Sequence, residues 1–234
     1  MVPGLCLLAI AALQQIVGAS QPYSTWMSDS FVIRGNNPTR GYTSAVLYRG
    51  IESTYNKTGN ETYYKFIKSQ IDTFVTPAGA LGNYDATKYS LDDIRIGPNL
   101  LFLYLKTGDE RYKTAASHLR HQLDIQPRTP SGGFWHRKPA YPNQMWLDGI
   151  YMAQPFYAQW TQLFEPTNNT AWNDIVLQFD LIELHCRNTT SNLLVHGYDE
   201  SKVAVWADPV TGGAPHGPYL FRPLSLNFVA LRVF

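Results

Sequence analysis

The spacing of apolar positions describes a succession of helices joined by short turns. From Tyr42 to Tyr55, Val46, Leu47, Ile51 and Tyr55 recur at helical spacing, Leu47, Ile51 and Tyr55 four residues apart, which sets them on one helical face. A second predicted helix carries Tyr63, Tyr64, Ile67, Ile71, Phe74 and Val75, and a later one Tyr112, Ala115, Ala116, Leu119 and Leu123. The junctions are written alike: Thr58-Gly-Asn-Glu-Thr-Tyr63 returns forty-nine residues later as Thr107-Gly-Asp-Glu-Arg-Tyr112. Gly59 suits the left-handed residue past a helix end, and Asn60 suits the N-cap of the helix that follows. A weaker copy over residues 165–172 precedes Ile175, Leu177, Phe179, Leu181, Ile182 and Leu184. Hairpins of this kind cannot bury their apolar faces alone, so their repetition predicts an all-α solenoid or toroid. No strand-rich, alternating segment competes with that reading.

One run breaks the amphipathic rule. Between Gln144 and Glu165, Asp148 is the only group charged at pH 7, among Met145, Trp146, Leu147, Ile150, Tyr151, Met152, Phe156 and Tyr157. A helix apolar on every side is expected to be buried. A carboxyl buried with it would resist ionisation and hold a proton near neutrality, which makes Asp148 a general-acid candidate. The alternative is a core polar group satisfied by backbone amides or an indole. Phe134, Trp135, His136, Tyr141 and Trp146 lie close by in sequence and suit either a core or a ring-lined wall that receives sugar faces.

The long loops carry the remaining polar chemistry. Residues 83–93, 127–141 and 193–218 are expected to reach the same end of successive hairpins and form one mouth. Ser90-x-x-Asp93 fits a capping box, which assigns Asp93 to structure. Asp92 is left as a second carboxylate, with Arg95 and Lys88 as candidates to neutralise it. His196-Gly-Tyr-Asp-Glu-Ser201 and Trp206-Ala-Asp-Pro209 bring together groups that a plain surface loop does not need, and His196 is the candidate among them.

Composition narrows the class. The chain has 234 residues, 44% of them apolar, and a net charge of +1 without a basic cluster, which argues against nucleic acid as a partner. Motifs for zinc proteolysis, nucleotide binding and serine hydrolysis are absent, so cofactor-free and metal-free acid/base chemistry is expected. The apolar start followed by Val17-Gly-Ala-Ser20 reads as a signal peptide over residues 1–20, too short to span a membrane. Four Asn-x-Thr sequons, at Asn56, Asn60, Asn168 and Asn188, agree with an extracellular destination. Cys6 would leave with the signal, and Cys186 is expected to be a buried, inert thiol.

Gly132-Gly-Phe-Trp-His136, Tyr141 through Ala153, His196 through Ser201 and Trp206-Ala-Asp-Pro209 together closely resemble the unsaturated rhamnogalacturonyl hydrolases of glycoside hydrolase family 105. The resemblance covers residues 40–216 and implies an (α/α)6 barrel, monomeric when complete, acting on the unsaturated galacturonyl-rhamnose oligosaccharides left by pectin lyases. It further implies that Asp148 is general acid and base, that Asp92 is the second active-site carboxylate, and that His136, Trp146 and His196 line the pocket. Beyond His216 the sequence departs from the family pattern: a pocket arginine would be expected there, and Arg222 followed by Pro223 is out of place. Six or seven helices instead of twelve lead to the expectation of an incomplete barrel over residues 21–234, with residues 217–234 aberrant and the chain unstable or inactive alone.

Overall fold

The computed structural model describes residues 21–214, so the predicted signal segment and the aberrant tail lie outside the described residues. Eight helices occur among them: α1 (Tyr23–Arg34), α2 (Tyr42–Thr58), α3 (Glu61–Ile71), α4 (Leu91–Ile94), α5 (Gly97–Thr107), α6 (Glu110–Ile125), α7 (Leu147–Phe164) and α8 (Asn169–Cys186). The hairpins α2–α3, α5–α6 and α7–α8 pack side by side, with α2 against α5 and α5 against α7, as a helical toroid requires. None of the described helices is long and apolar enough to cross a membrane.

The repeated junction has one geometry at its first two occurrences. Thr58 Oγ1 donates to Thr54 O and accepts from Asn60 N; Thr107 Oγ1 does the same with Leu103 O and Asp109 N. Gly59 and Gly108 follow in the left-handed region at φ 67° and 71°, and the next side chain caps the outgoing helix. Asn60 Oδ1 accepts from Thr62 N, and Asp109 Oδ1 accepts from Arg111 N, both at 3.0 Å. At the third junction Asn168 Oδ1 caps α8 by accepting from Ala171 N at 3.1 Å, without a preceding glycine. One short motif therefore reverses the chain and starts the next helix at the first two sites, and the third keeps only its cap.

Two elements differ from expectation. The helix α1 was not foreseen, because Tyr23, Trp26 and Ile33 face solvent and leave only Phe31 and Val32 against the core. Polar contacts hold it instead: Ser28 Oγ lies 2.8 Å from Thr54 Oγ1, and Tyr63 OH donates to Asp29 Oδ1 at 2.7 Å. The absence of a strand-rich region holds, but one short strand pair was not foreseen. Strands β1 (Gln144–Trp146) and β2 (Gly197–Asp199) form an antiparallel pair with Met145 opposite Tyr198. Three residues per strand give too short an alternation to register in the sequence.

The main core runs from α1 to α8 and includes Tyr48, Ile67, Leu101, Tyr112, Leu119 and Phe156, all at or near full burial. A second cluster of Met145, Leu147, Ile150, Ile182, Cys186, Leu194 and Tyr198 lies under the strand pair. Cys186 is fully enclosed there, and burial pushes its thiol up to about 12, so it is inert as expected.

Candidate active site

Three loops that are distant in sequence are joined by backbone hydrogen bonds at one end of the hairpins. Leu91 N, at the start of α4, donates to His136 O at 3.1 Å, and His136 N donates to Gln144 O at 2.9 Å. Leu147 N, at the start of α7, donates to His196 O at 2.6 Å. The expected mouth is therefore built, and its rim is fixed by main chain instead of by side-chain packing alone. Fixing the rim in this way orients the side chains that project from it.

Asp92, His136, Asp148 and His196 meet at this rim. His136 Nε2 lies 3.4 Å from Asp92 Oδ1 and 3.9 Å from Asp148 Oδ2, while His196 Nε2 lies 3.5 Å from Asp148 Oδ1. His136 is almost fully buried, and its Nδ1 has no hydrogen-bond partner among the described residues. With carboxylates on the Nε2 side only, the imidazole proton belongs on Nε2. His136 thus bridges two acids through one nitrogen.

The rings form a contiguous surface beside those acids. His136 stacks on Trp146 with centroids 4.5 Å apart and planes 17° apart; Tyr141 lies 4.4 Å and His196 5.5 Å from the same indole. Trp146 Nε1 donates to Gln144 Oε1 at 3.2 Å, which fixes the ring in its plane. Trp135 is not part of this group. Backbone alternation puts Phe134 and His136 inward, and no ring contact joins Trp135 to the cluster among the described residues.

Asp148 departs from expectation in its burial. Most of α7 is buried as predicted, but Asp148 occupies the first turn at the rim, and its side chain is 32% exposed. Of the apolar neighbours that suggested a dry carboxyl, Met145, Leu147, Ile150, Met152 and Phe156 are buried while the Asp148 side chain turns to the rim. Oδ1 alone is shut off from solvent. A position in the first turn also sets the carboxylate at the positive end of the helix dipole.

Asp92 is the acid held as an anion. Burial pushes its carboxyl up, but His136, by hydrogen bond and charge, and the Arg137 guanidinium together hold it below the usual carboxylate range. Arg137 Nη2 donates to Asp92 Oδ2, and Nε donates to Ser90 Oγ at 3.2 Å. Arg137 was missed as a site residue; the available signal was its place beside His136 in the motif loop. Arg95 and Lys88, the candidates to neutralise Asp92, form no ion pair with it among the described residues. Arg95 Nη2 instead donates to Tyr151 OH at 2.7 Å. The predicted capping box is also absent: Ser90 makes no side-chain cap, and Asp93 pairs with Arg40 Nη1 at 2.9 Å.

Asp92, His136 and Asp148 each offer one donor atom, all within 4.8 Å of one another, a spacing that a divalent cation could bridge. Arg137 already supplies positive charge to Asp92 in that place.

The sequence profile of Glycosyl Hydrolase Family 88 matches residues 19–217. The chain belongs to that family. Among its curated relatives, an unsaturated rhamnogalacturonyl hydrolase of Bacillus subtilis (strain 168) is 28% identical over 163 residues, covering 68% of this chain and 45% of the relative. A family 105 glycoside hydrolase from C. acetobutylicum superposes with a TM-score of 0.79 at 36% identity, over 84% of this chain and 54% of its own. A family 88 glycosyl hydrolase from Bacteroides vulgatus shares the fold with a TM-score of 0.58 at 16% identity, over 82% and 54%. This family 88 chain therefore spans about half the length of the relatives it matches. The all-α toroid expected from the sequence is the architecture of these relatives.

Proposed function

We propose that the protein removes a 4,5-unsaturated galacturonyl residue from the non-reducing end of pectin (rhamnogalacturonan) lyase products by hydrating the double bond. Asp148 gives a proton to C4 of the enol ether. The positive charge that develops across C5 and the ring oxygen is met by the fixed Asp92 anion. Asp148, now a carboxylate, takes a proton from the water that adds at C5. The hemiketal formed then opens and releases the neighbouring sugar. One carboxyl serves both proton steps, unlike the two-carboxylate displacement at an anomeric carbon.

The observation that carries this reading is the asymmetry of the two acids: both face His136 Nε2, yet among the described residues only Asp92 is clamped by an arginine. Among the described residues Asp148 pairs with imidazoles alone, and it is the group we assign to cycle a proton. The rings of Trp146, Tyr141 and His196 supply the apolar face on which a sugar packs. In the test, loss of the ultraviolet absorbance of the conjugated uronate is followed with the unsaturated galacturonyl-rhamnose disaccharide. Asp148→Asn, unchanged in its melt, is expected to slow the loss by about 10² to 10⁴. An undiminished rate in that variant sinks the assignment. A fall in the wild-type rate on chelation would favour a metal held by Asp92, His136 and Asp148 instead.

The setting we propose is extracellular, supported by the apolar first residues and the four sequons. Asn56 is exposed on α2, whereas Asn168 Nδ2 is engaged with Glu165 Oε2 at 2.6 Å. Protein exported from a eukaryotic host is expected to lose mass on endoglycosidase treatment, and Asn56→Gln to remove part of that loss. An unchanged mass excludes the glycoprotein reading.

A further inference from the structure

A second cleft, about 370 Å³ in volume, is lined by Arg137, whose guanidinium also holds Asp92. Four cations, Arg40, Lys88, Arg137 and Lys138, line it against two acids, Asp85 and Asp93. The two arginines are committed: Arg137 holds Asp92, and Arg40 pairs with Asp93 while donating through Nη2 to Asn83 O at 2.9 Å. The two lysines form no ion pair among the described residues. They are brought together by the backbone, since Lys138 N donates to Lys88 O at 3.0 Å across two loops, and Lys138 Nζ rests 5.4 Å from the centre of the Tyr89 ring. Asp85, the acid nearest Lys88 in sequence, accepts at Oδ1 from the backbone and hydroxyl of Thr87 and meets Lys88 only through longer-range charge. The wall that this cleft shares with the active site is therefore a cation, and its lip carries two more that form no direct ion pair among the described residues, so cations outnumber acids four to two around it.

We propose that this cleft is a subsite for an anionic group, a carboxylate or a sulfate, carried by the sugar chain beyond the bond that is cleaved. The inference rests on the proposed hydrolase reading and narrows its substrate class to acidic oligosaccharides over neutral-ended disaccharides. Paired lysines on a concave, arginine-walled surface raise the local concentration of an anion and fix the direction in which the chain leaves the site.

The test compares three unsaturated substrates: the galacturonyl-rhamnose disaccharide, the tetrasaccharide carrying a second galacturonate, and a disaccharide sulfated on its second sugar. Lys88→Ala combined with Lys138→Ala removes two exposed side chains that contact neither Asp92 nor Asp148. In that double variant KM for the acidic substrates is expected to rise about tenfold, with kcat unchanged and both constants for the neutral-ended disaccharide unmoved. Whether the tetrasaccharide or the sulfated disaccharide responds identifies carboxylate or sulfate as the anion. Equal kcat/KM for all three substrates, or a double variant that treats them as wild type does, overturns the subsite. If wild type consumes none of them, the hydrolase reading fails by itself. The cleft is then read by calorimetry with tetragalacturonate against a neutral tetrasaccharide: acid-selective binding lost in the double variant upholds it, and unselective or absent binding overturns it.

Discussion

Asp92 and Asp148 are the same functional group in different company, and the division of labour proposed for them follows from their neighbours. The guanidinium of Arg137 and the imidazole of His136 hold Asp92 ionised against its burial. Arg137→Gln removes the guanidinium, so the Asp92 carboxyl is expected to titrate at higher pH. If its anion is needed for turnover, the acid limb of kcat/KM against pH moves toward neutrality in that variant, while the alkaline limb stays in place. An unmoved acid limb removes Asp92 from the charge-stabilising role. The Asp92, Asp148, His136 and His196 quartet was legible from residue type and motif. Arg137 was not, because an arginine in a loop carries no sequence mark of the acid it will meet.

At the scale of elements, the turn between β1 and α7 sets the site. Strand β1 hands the chain to α7 at Trp146, so the aromatic wall and the acid are two residues apart on the same corner. Gly149 follows inside the first turn, and a Cβ added there would lie 3.1 Å from His136 Nδ1 and 3.2 Å from Leu91 Cδ1. Gly149→Ala is therefore expected to keep or slightly raise helix stability, by up to about 1 kcal/mol, while displacing the imidazole that both acids face. Turnover should fall by roughly tenfold or more, since sub-ångström misplacement of a catalytic group is costly. The pair of measurements, melt and rate, separates this from a general loss of fold. The helical hairpins and their glycine and cap positions were readable in the sequence, since periodicity and capping act locally. The helix α1 and the strand pair were not. Their stability comes from partners elsewhere in the chain: Thr54 and Tyr63 for α1, and each strand for the other.

Over the whole molecule, the hairpins are tied to one another by polar links as well as by the core. Asp72, just past α3, accepts at Oδ1 from Arg111 Nη2 at 2.7 Å and from Tyr112 OH at 2.6 Å on α6, and at Oδ2 from Lys68 Nζ at 2.6 Å. Burial raises the Asp72 carboxyl, but Lys68, Tyr112 and Arg111 more than offset that and hold it below the ordinary range. Burial and the same carboxylate push the Tyr112 phenol up to about 12. A folded-state value below the unfolded one stabilises the fold above the unfolded value, about pH 3.9 for aspartate, and this contribution is lost as pH falls through the folded value. Thermal stability is thus expected to drop more steeply below about pH 4 in the wild type than in Asp72→Asn, which starts lower at neutral pH and changes less. Parallel curves for the two proteins would exclude Asp72 as a pH-dependent tie between the hairpins.

The sequence by itself determined the helical class, the hairpin repeat, the three converging loops and the residue types of the site. Each of these follows from periodicity, caps or motif, which depend on residues close along the chain. Only the tertiary structure decided how dry each acid is and what it touches. Asp148 sits among apolar neighbours in sequence yet emerges at a helix start on the rim, and Asp92 meets Arg137 across 45 residues. Solvation and ion pairing are set by what surrounds a side chain in space, and the order of residues along the chain does not carry that information.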